Sequence, residues 1–145
     1  MIFYAKSHPF MTLDEHTKMV EKKYDDLLEM KELYFGSDEI KMIKIACHYH
    51  DIGKINKIFQ EKLKGISNKD QKPHGYLSVL LLNYKDLSEI LNENKRNFEI
   101  ILNAIYFHHK RENENNDDIK EFGRNNLQEN ANSYFRKEVI LKFIN

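Results

Sequence analysis

Apolar residues recur along this chain with the spacing of amphipathic helices. Between Thr12 and Gly36, Leu13, Met19, Val20, Tyr24, Leu27, Leu28 and Leu33 fall near helical spacing. Thr12 followed by Glu15 has the form of a capping box, and Gly36 supplies a stop. Asp38 can cap a second helix over "EIKMIKIACHYHD". Gly53 permits a sharp change of direction, after which "KINKIFQEKL" continues as helix or turn and "KGISNKDQKP" reads as a loop. "HGYLSVLLLNY" is the most apolar segment. A buried strand would suit its length, but its helical neighbours favour a core helix. "DLSEILNE" and "NFEIILNAIYFHH" extend the helical pattern. Residues 110–130 are strongly polar and read as a loop, and "SYFRKEVILKFIN" is one more amphipathic helix. The pattern stops there without a cap, which suggests one domain, residues 1–145, forming the N-terminal part of a longer chain.

Composition narrows this picture. At 145 residues the chain suits one domain, and 41% hydrophobic with 32% charged residues fits a charge-rich globular protein. Two prolines and five glycines leave helices largely uninterrupted, so the predicted class is all-α. The formal net charge is zero, so any nucleic-acid binding must come from a local basic patch. The one cysteine, Cys47, can form no internal disulfide and reads as a small core residue. With no signal-peptide pattern and no apolar run near the ~18 residues of a membrane span, a cytoplasmic location and no membrane partner are expected.

Histidine carries the candidate chemistry. Five of the seven histidines lie on predicted helices or at their ends: His16, His50, His74, His108 and His109. Asp51 follows His50 directly, giving the series H…HD…H…HH. Each has a structural alternative: His16 as a solvated helix residue, the HD pair as a helix-end hydrogen bond, His74 as a helix start, and one of the late pair packing on Tyr106 or Phe107. Together they point to a site for a divalent transition metal, because imidazole with carboxylate suits Mn, Fe, Co, Ni or Zn better than an all-oxygen cage would. His108 and His109 point about 100° apart on an ideal helix, so both reach one ion only near a helix end. His8 and His48 stay unassigned.

The order of these motifs resembles the HD metal-dependent phosphohydrolase superfamily, and within it the HD nuclease domain of CRISPR-associated type I nuclease-helicases. "AKS", "TLDEHT", "HDIGK", "HGYLS" and "AIYFHHKR" carry the resemblance, over roughly residues 4–111. It implies an all-α HD-type helical bundle with one or two metal ions. His16, His50 and Asp51 would hold one ion, and Asp51, His74, His108 and His109 the second, with Asp51 bridging. It implies Asp51 and Lys54 as catalytic residues, Lys54 lying beside the metals and meeting a phosphate oxygen. The family's late aspartate has no match here, since Asp117 and Asp118 come too soon after the histidine pair. The implied activity is hydrolysis of single-stranded DNA by metal-activated water. The implied partners are a helicase domain, in the same or a separate chain, and an RNA-guided surveillance complex. An HD phosphohydrolase acting on a nucleotide or cyclic nucleotide, and a non-catalytic metal-stabilised module, are the alternatives.

Six lysines from Lys54 to Lys72 face Glu61 and Asp70 alone, a local charge of +4. Lys54, Lys62, Lys64, Lys69 and Lys72, with Lys110 and Arg111, are therefore the expected phosphate contacts; an ordinary solvated face is the alternative.

Overall fold

The computed structural model describes residues 2–30, 34–69, 72–92 and 94–109. The expected 110–130 loop, the expected helix at 133–145, Leu33, Asp117 and Asp118 lie outside the described residues. The described chain is mostly helical, as the spacing of its apolar residues predicts. Helix α1 spans Leu13–Glu29, α2 Ser37–Tyr49, α3 Lys57–Leu63, α4 His74–Leu80, α5 Tyr84–Ile90 and α6 Lys95–Tyr106, with a 3₁₀ turn at Ile52–Ile55 between α2 and α3. No described helix is long and apolar enough to cross a membrane.

A short hairpin precedes them, which the helical pattern did not predict. Strands β1 (Tyr4–Ser7) and β2 (Phe10–Thr12) pair antiparallel, with Tyr4 opposite Thr12 and Ser7 opposite Phe10. Buried Gln60 ties β1 to the rest of the fold: its amide exchanges hydrogen bonds with the Tyr4 main chain at 3.0 and 2.8 Å, and its Nε2 also donates to the Lys54 carbonyl at 2.8 Å.

Helix α1 begins as expected. The Thr12 hydroxyl accepts the Glu15 N–H at 3.2 Å, and the Glu15 carboxylate accepts the Thr12 N–H at 2.8 Å, so two otherwise orphaned donors are satisfied. Its far end differs from expectation. Residues 34–36 are not helical, and Gly36, at φ −67° and ψ 161°, is the N-cap of α2. A stop signal of the left-handed kind needs positive φ. The Glu39 carboxylate accepts the Gly36 N–H at 2.8 Å, and Asp38 sits inside the first turn, where its charge meets the positive helix end. The apolar segment from His74 forms a core helix, but a shorter one than expected: the chain turns after Leu80, and Asn83 caps α5.

The core lies around α4. Leu77, Val79, Leu80, Leu81, Leu82, Ile101 and Ile105 are all 2% exposed or less. A helix apolar on every side must be covered on every side. The 3₁₀ turn and α6 pack on α4, and α2 packs on both α1 and α6.

Candidate metal centre

Two glycines set how closely the site's elements approach. A Cβ added at Gly53 would stand 2.2 Å from the His74 carbonyl oxygen and 2.5 Å from the Ser78 nitrogen. One added at Gly75 would stand 2.5 Å from the Tyr106 carbonyl oxygen. Both are backbone contacts that a side chain cannot yield to. Gly53 lies in the 3₁₀ turn where a change of direction was expected, but its φ is not positive, so what calls for glycine there is close approach. The first contact seats the 3₁₀ turn on the start of α4, and the second seats α4 on the end of α6. Ser78, wholly buried, completes the joint: its hydroxyl accepts the Gly53 N–H and donates to the His50 carbonyl, each at 2.8 Å.

Five predicted side chains converge on one carboxylate beside this joint. Asp51 is 1% exposed. Around its Oδ2 stand His16 Nε2 at 2.9 Å, His50 Nε2 at 3.3 Å and Lys54 Nζ at 2.7 Å. Around its Oδ1 stand His74 Nε2 at 3.1 Å and His108 Nε2 at 3.3 Å. His109 joins them through ring contact, its centroid 4.9 Å from that of His74 and 4.3 Å from that of His108. The candidate ligand atoms form two groups, Asp51–His74–His108–His109 and His16–His50–Asp51, with all atoms of a group within 4.8 Å of one another. These are the groupings that the motif resemblance implies. Helix α6 ends at Tyr106, so the adjacent histidines lie beyond its end, where both can turn to one centre.

The donor chemistry fits a metal cation. His50 Nδ1 faces the Cys47 carbonyl at 2.8 Å, and His108 Nδ1 faces the Ile105 carbonyl at 2.7 Å. A carbonyl oxygen only accepts, so each Nδ1 carries the proton, and in the neutral ring Nε2 presents a lone pair. Those lone pairs point at a carboxylate. His74 Nε2 and His108 Nε2 are only 3.0 Å apart, and Asp51 Oδ1 is buried with no hydrogen bond. Lone pairs and an anionic oxygen converging in a largely buried cluster favour positive charge among them.

The electrostatics keep Asp51 charged and favour neutral rings at His16 and His109, while His50 runs the other way. Burial would raise the Asp51 carboxyl, but the imidazoles of His108, His50 and His74 and the Lys54 ammonium outweigh it and hold the group far below the ordinary carboxylate range. Burial lowers His16 more than the Asp51 charge raises it. Burial, then the neighbouring His108 and His74, also lower His109. For His50 burial is opposed by the hydrogen bond and charge of Asp51 and by the Cys47 carbonyl, and the net direction is up.

A family profile described as "HD domain" matches residues 13–141. The chain belongs to the HD domain family. HD domains are in general metal-dependent hydrolases, and this one has the histidine and aspartate cluster that such chemistry uses. Comparison with curated proteins and with solved structures finds no match.

Lys54 is buried, with its ammonium 5.7 Å from the Phe59 ring centroid. Lys62 is at the end of α3, while Lys64, Lys69 and Lys72 are exposed on the connection leading to His74. Lys110 and Arg111 lie outside the described residues. His48 and His8 are outside both groups: His48 pairs with Glu21 on the surface at 2.7 Å, and His8 meets the Ser7 hydroxyl. Cys47 is half-buried, and burial pushes its thiol up, away from nucleophilic character. Ser78, Gly75 and Gln60 were not singled out from the sequence. The first two sit inside "HGYLS", where a serine in an apolar run is a signal of a buried hydrogen bond.

Proposed function

We propose that this HD domain is a metal-dependent phosphodiesterase that cuts DNA, with single strands preferred, as the nuclease of a type I CRISPR system. The observation that carries the hydrolytic reading is one buried carboxylate shared by two histidine groups, one oxygen to each. Asp51, His74, His108 and His109 would hold one divalent transition metal, and His16, His50 and Asp51 another. Bound there, such ions supply Lewis-acid charge for a phosphate oxygen and lower the pKa of water. Asp51 can serve both groups because it has two oxygens, whereas each imidazole offers one nitrogen. The Lys54 ammonium is a fixed positive charge at the same carboxylate. We assign it to the phosphate oxygens, on which negative charge grows in the transition state.

The choice of a polynucleotide rests on two supports. Lys62, Lys64, Lys69 and Lys72 lie on the stretch of chain that leads into His74, and a line of lysines suits a run of phosphates. The motifs quoted above resemble those of CRISPR-associated nucleases. In that setting the domain works in the cytoplasm on DNA unwound by a helicase, in the same or a separate chain, and delivered by an RNA-guided surveillance complex. The test is incubation of the chain with single-stranded DNA, duplex DNA, single-stranded RNA and a panel of nucleotides and cyclic nucleotides, each with manganese. Cleavage of single-stranded DNA that a chelator stops is the expected result. Turnover of a nucleotide alone would move the assignment to a small-molecule phosphohydrolase. Metal bound with nothing hydrolysed would leave a structural module.

A further inference from the structure

The two oxygens of Asp51 are not equivalent. Oδ1 is buried and makes no hydrogen bond, and the Nε2 atoms of His74 and His108 stand 3.1 and 3.3 Å from it. Oδ2 already has a cation: Lys54 Nζ donates to it at 2.7 Å, beside His16 Nε2 at 2.9 Å. The lysine is held there. Its own N–H donates to the Asp51 carbonyl at 2.9 Å, and its carbonyl accepts from Gln60 Nε2 at 2.8 Å, so the main chain on both sides of the side chain is tied. We infer that Lys54 is a resident cation of the Oδ2 half, which makes the centre take metal in a fixed order: the His74–His108–His109 half first, and the His16–His50 half second and more weakly.

The inference rests on reading the cluster as a metal centre and is independent of the substrate. Its physical basis is competition. A metal ion bound through Oδ2 shares that oxygen with an ammonium that cannot withdraw far. It must displace the ammonium or accept like-charge repulsion in partly buried surroundings. A metal ion bound through Oδ1 displaces nothing. The number of histidines works in the same direction, three on the Oδ1 side against two on the Oδ2 side. The lysine's part must therefore be separated from that of ligand number, and removing the charge does so.

The experiment is a zinc titration of the full chain. It is followed by calorimetry and by the ring-nitrogen NMR signals of the individual histidines. In the wild type, the first equivalent is expected to shift His74 and His108, and the second, weaker equivalent His16 and His50. Lys54→Met keeps the stem and removes the charge. It is expected to strengthen the second step on the order of tenfold or more and to narrow the gap between the steps. Lys54→Arg keeps the charge and should keep the gap. Simultaneous loading of the two halves in the wild type would overturn the fixed order, and that arm needs no variant to fold. An unchanged gap in folded Lys54→Met would overturn the lysine's role and leave ligand number as the cause. A wild-type chain that binds no zinc, manganese or cobalt would remove the metal centre itself, and this inference with it.

Discussion

The two halves of the centre stand on differently built ground. The Oδ1 half hangs from α4 and α6. Every residue of α4 except His74 is buried, and Ile101, Ile105 and Tyr106 of α6 are buried against it. Its spacing is set by main chain against main chain at Gly53 and Gly75. The Oδ2 half hangs from α1 and α2. Tyr24 is the one buried residue of α1, and α2 has none below the same level of exposure. One half is therefore fixed by the core itself. The other is held by two amphipathic helices whose local opening costs less than that of core elements. Ligand geometry is thus most rigid where the buried oxygen lacks a partner and softer where a lysine already provides one.

The widest test of this contrast is Asp51→Ala, which removes the atom pair that joins the halves. Metal content measured on the purified protein is expected to fall from one or two ions per chain to background. A mutant that keeps the wild-type content would show that the halves are not joined through Asp51. Next comes Gly53→Ala, which attacks the rigid half through its backbone. Overpacking against a carbonyl oxygen and an amide nitrogen should cost about 3 kcal/mol. The melting temperature should fall by roughly 10 °C, whereas Lys22→Ala on the exposed face of α1 should leave it nearly unchanged.

Smaller effects resolve the contrast further. His74→Ala is expected to weaken the tighter metal step on the order of tenfold and His16→Ala only the weaker one, read from calorimetry of each. Equal losses in both steps from either substitution would erase the distinction. Reversing Lys62, Lys64, Lys69 and Lys72 to glutamate should leave metal content alone while weakening single-stranded DNA binding. The slope of log affinity against log salt should become shallower, by roughly 0.7 for each phosphate that the lysines no longer neutralise. An unaltered slope would make the lysine stretch an ordinary solvated face. Least of all should His48→Ala matter: it removes an exposed pair with Glu21, which contributes less than about 1 kcal/mol, and no metal.

What could be read from the sequence was mostly local. The Thr12–Glu15 box, the helical spacing and the neighbouring His50 and Asp51 each lie within a few residues, and each has the expected local form. The late histidine pair was expected near a helix end because two adjacent rings cannot share a centre on an intact helix, and α6 ends just before it. The hairpin was missed because strands of four and three residues are too short to show an alternating pattern. Gly36 was misread because a glycine marks an end without saying which helix it ends. Gly53, Gly75 and Ser78 act on residues 21 or more positions away, through contacts with no periodic signature. The motif resemblance implied a lysine beside the centre, and Lys54 does meet Asp51, but neither the motif nor the three-residue spacing reveals which of two carboxylate oxygens it selects.

The carbonyls behind His50 and His108 suggest a portable rule. In both cases the ring's Nδ1 hydrogen-bonds the carbonyl three residues back, at Cys47 and at Ile105, one of the acceptors that a terminating helix leaves free. Each histidine thus finishes its own helix and has its reactive nitrogen aimed by that same act. Such a ligand carries its orientation with it: lengthening or shortening the helix upstream moves the ring without changing which nitrogen is offered. For anyone grafting metal sites onto helical scaffolds, the unit to copy is the last turn of a helix with a histidine three residues past a free carbonyl.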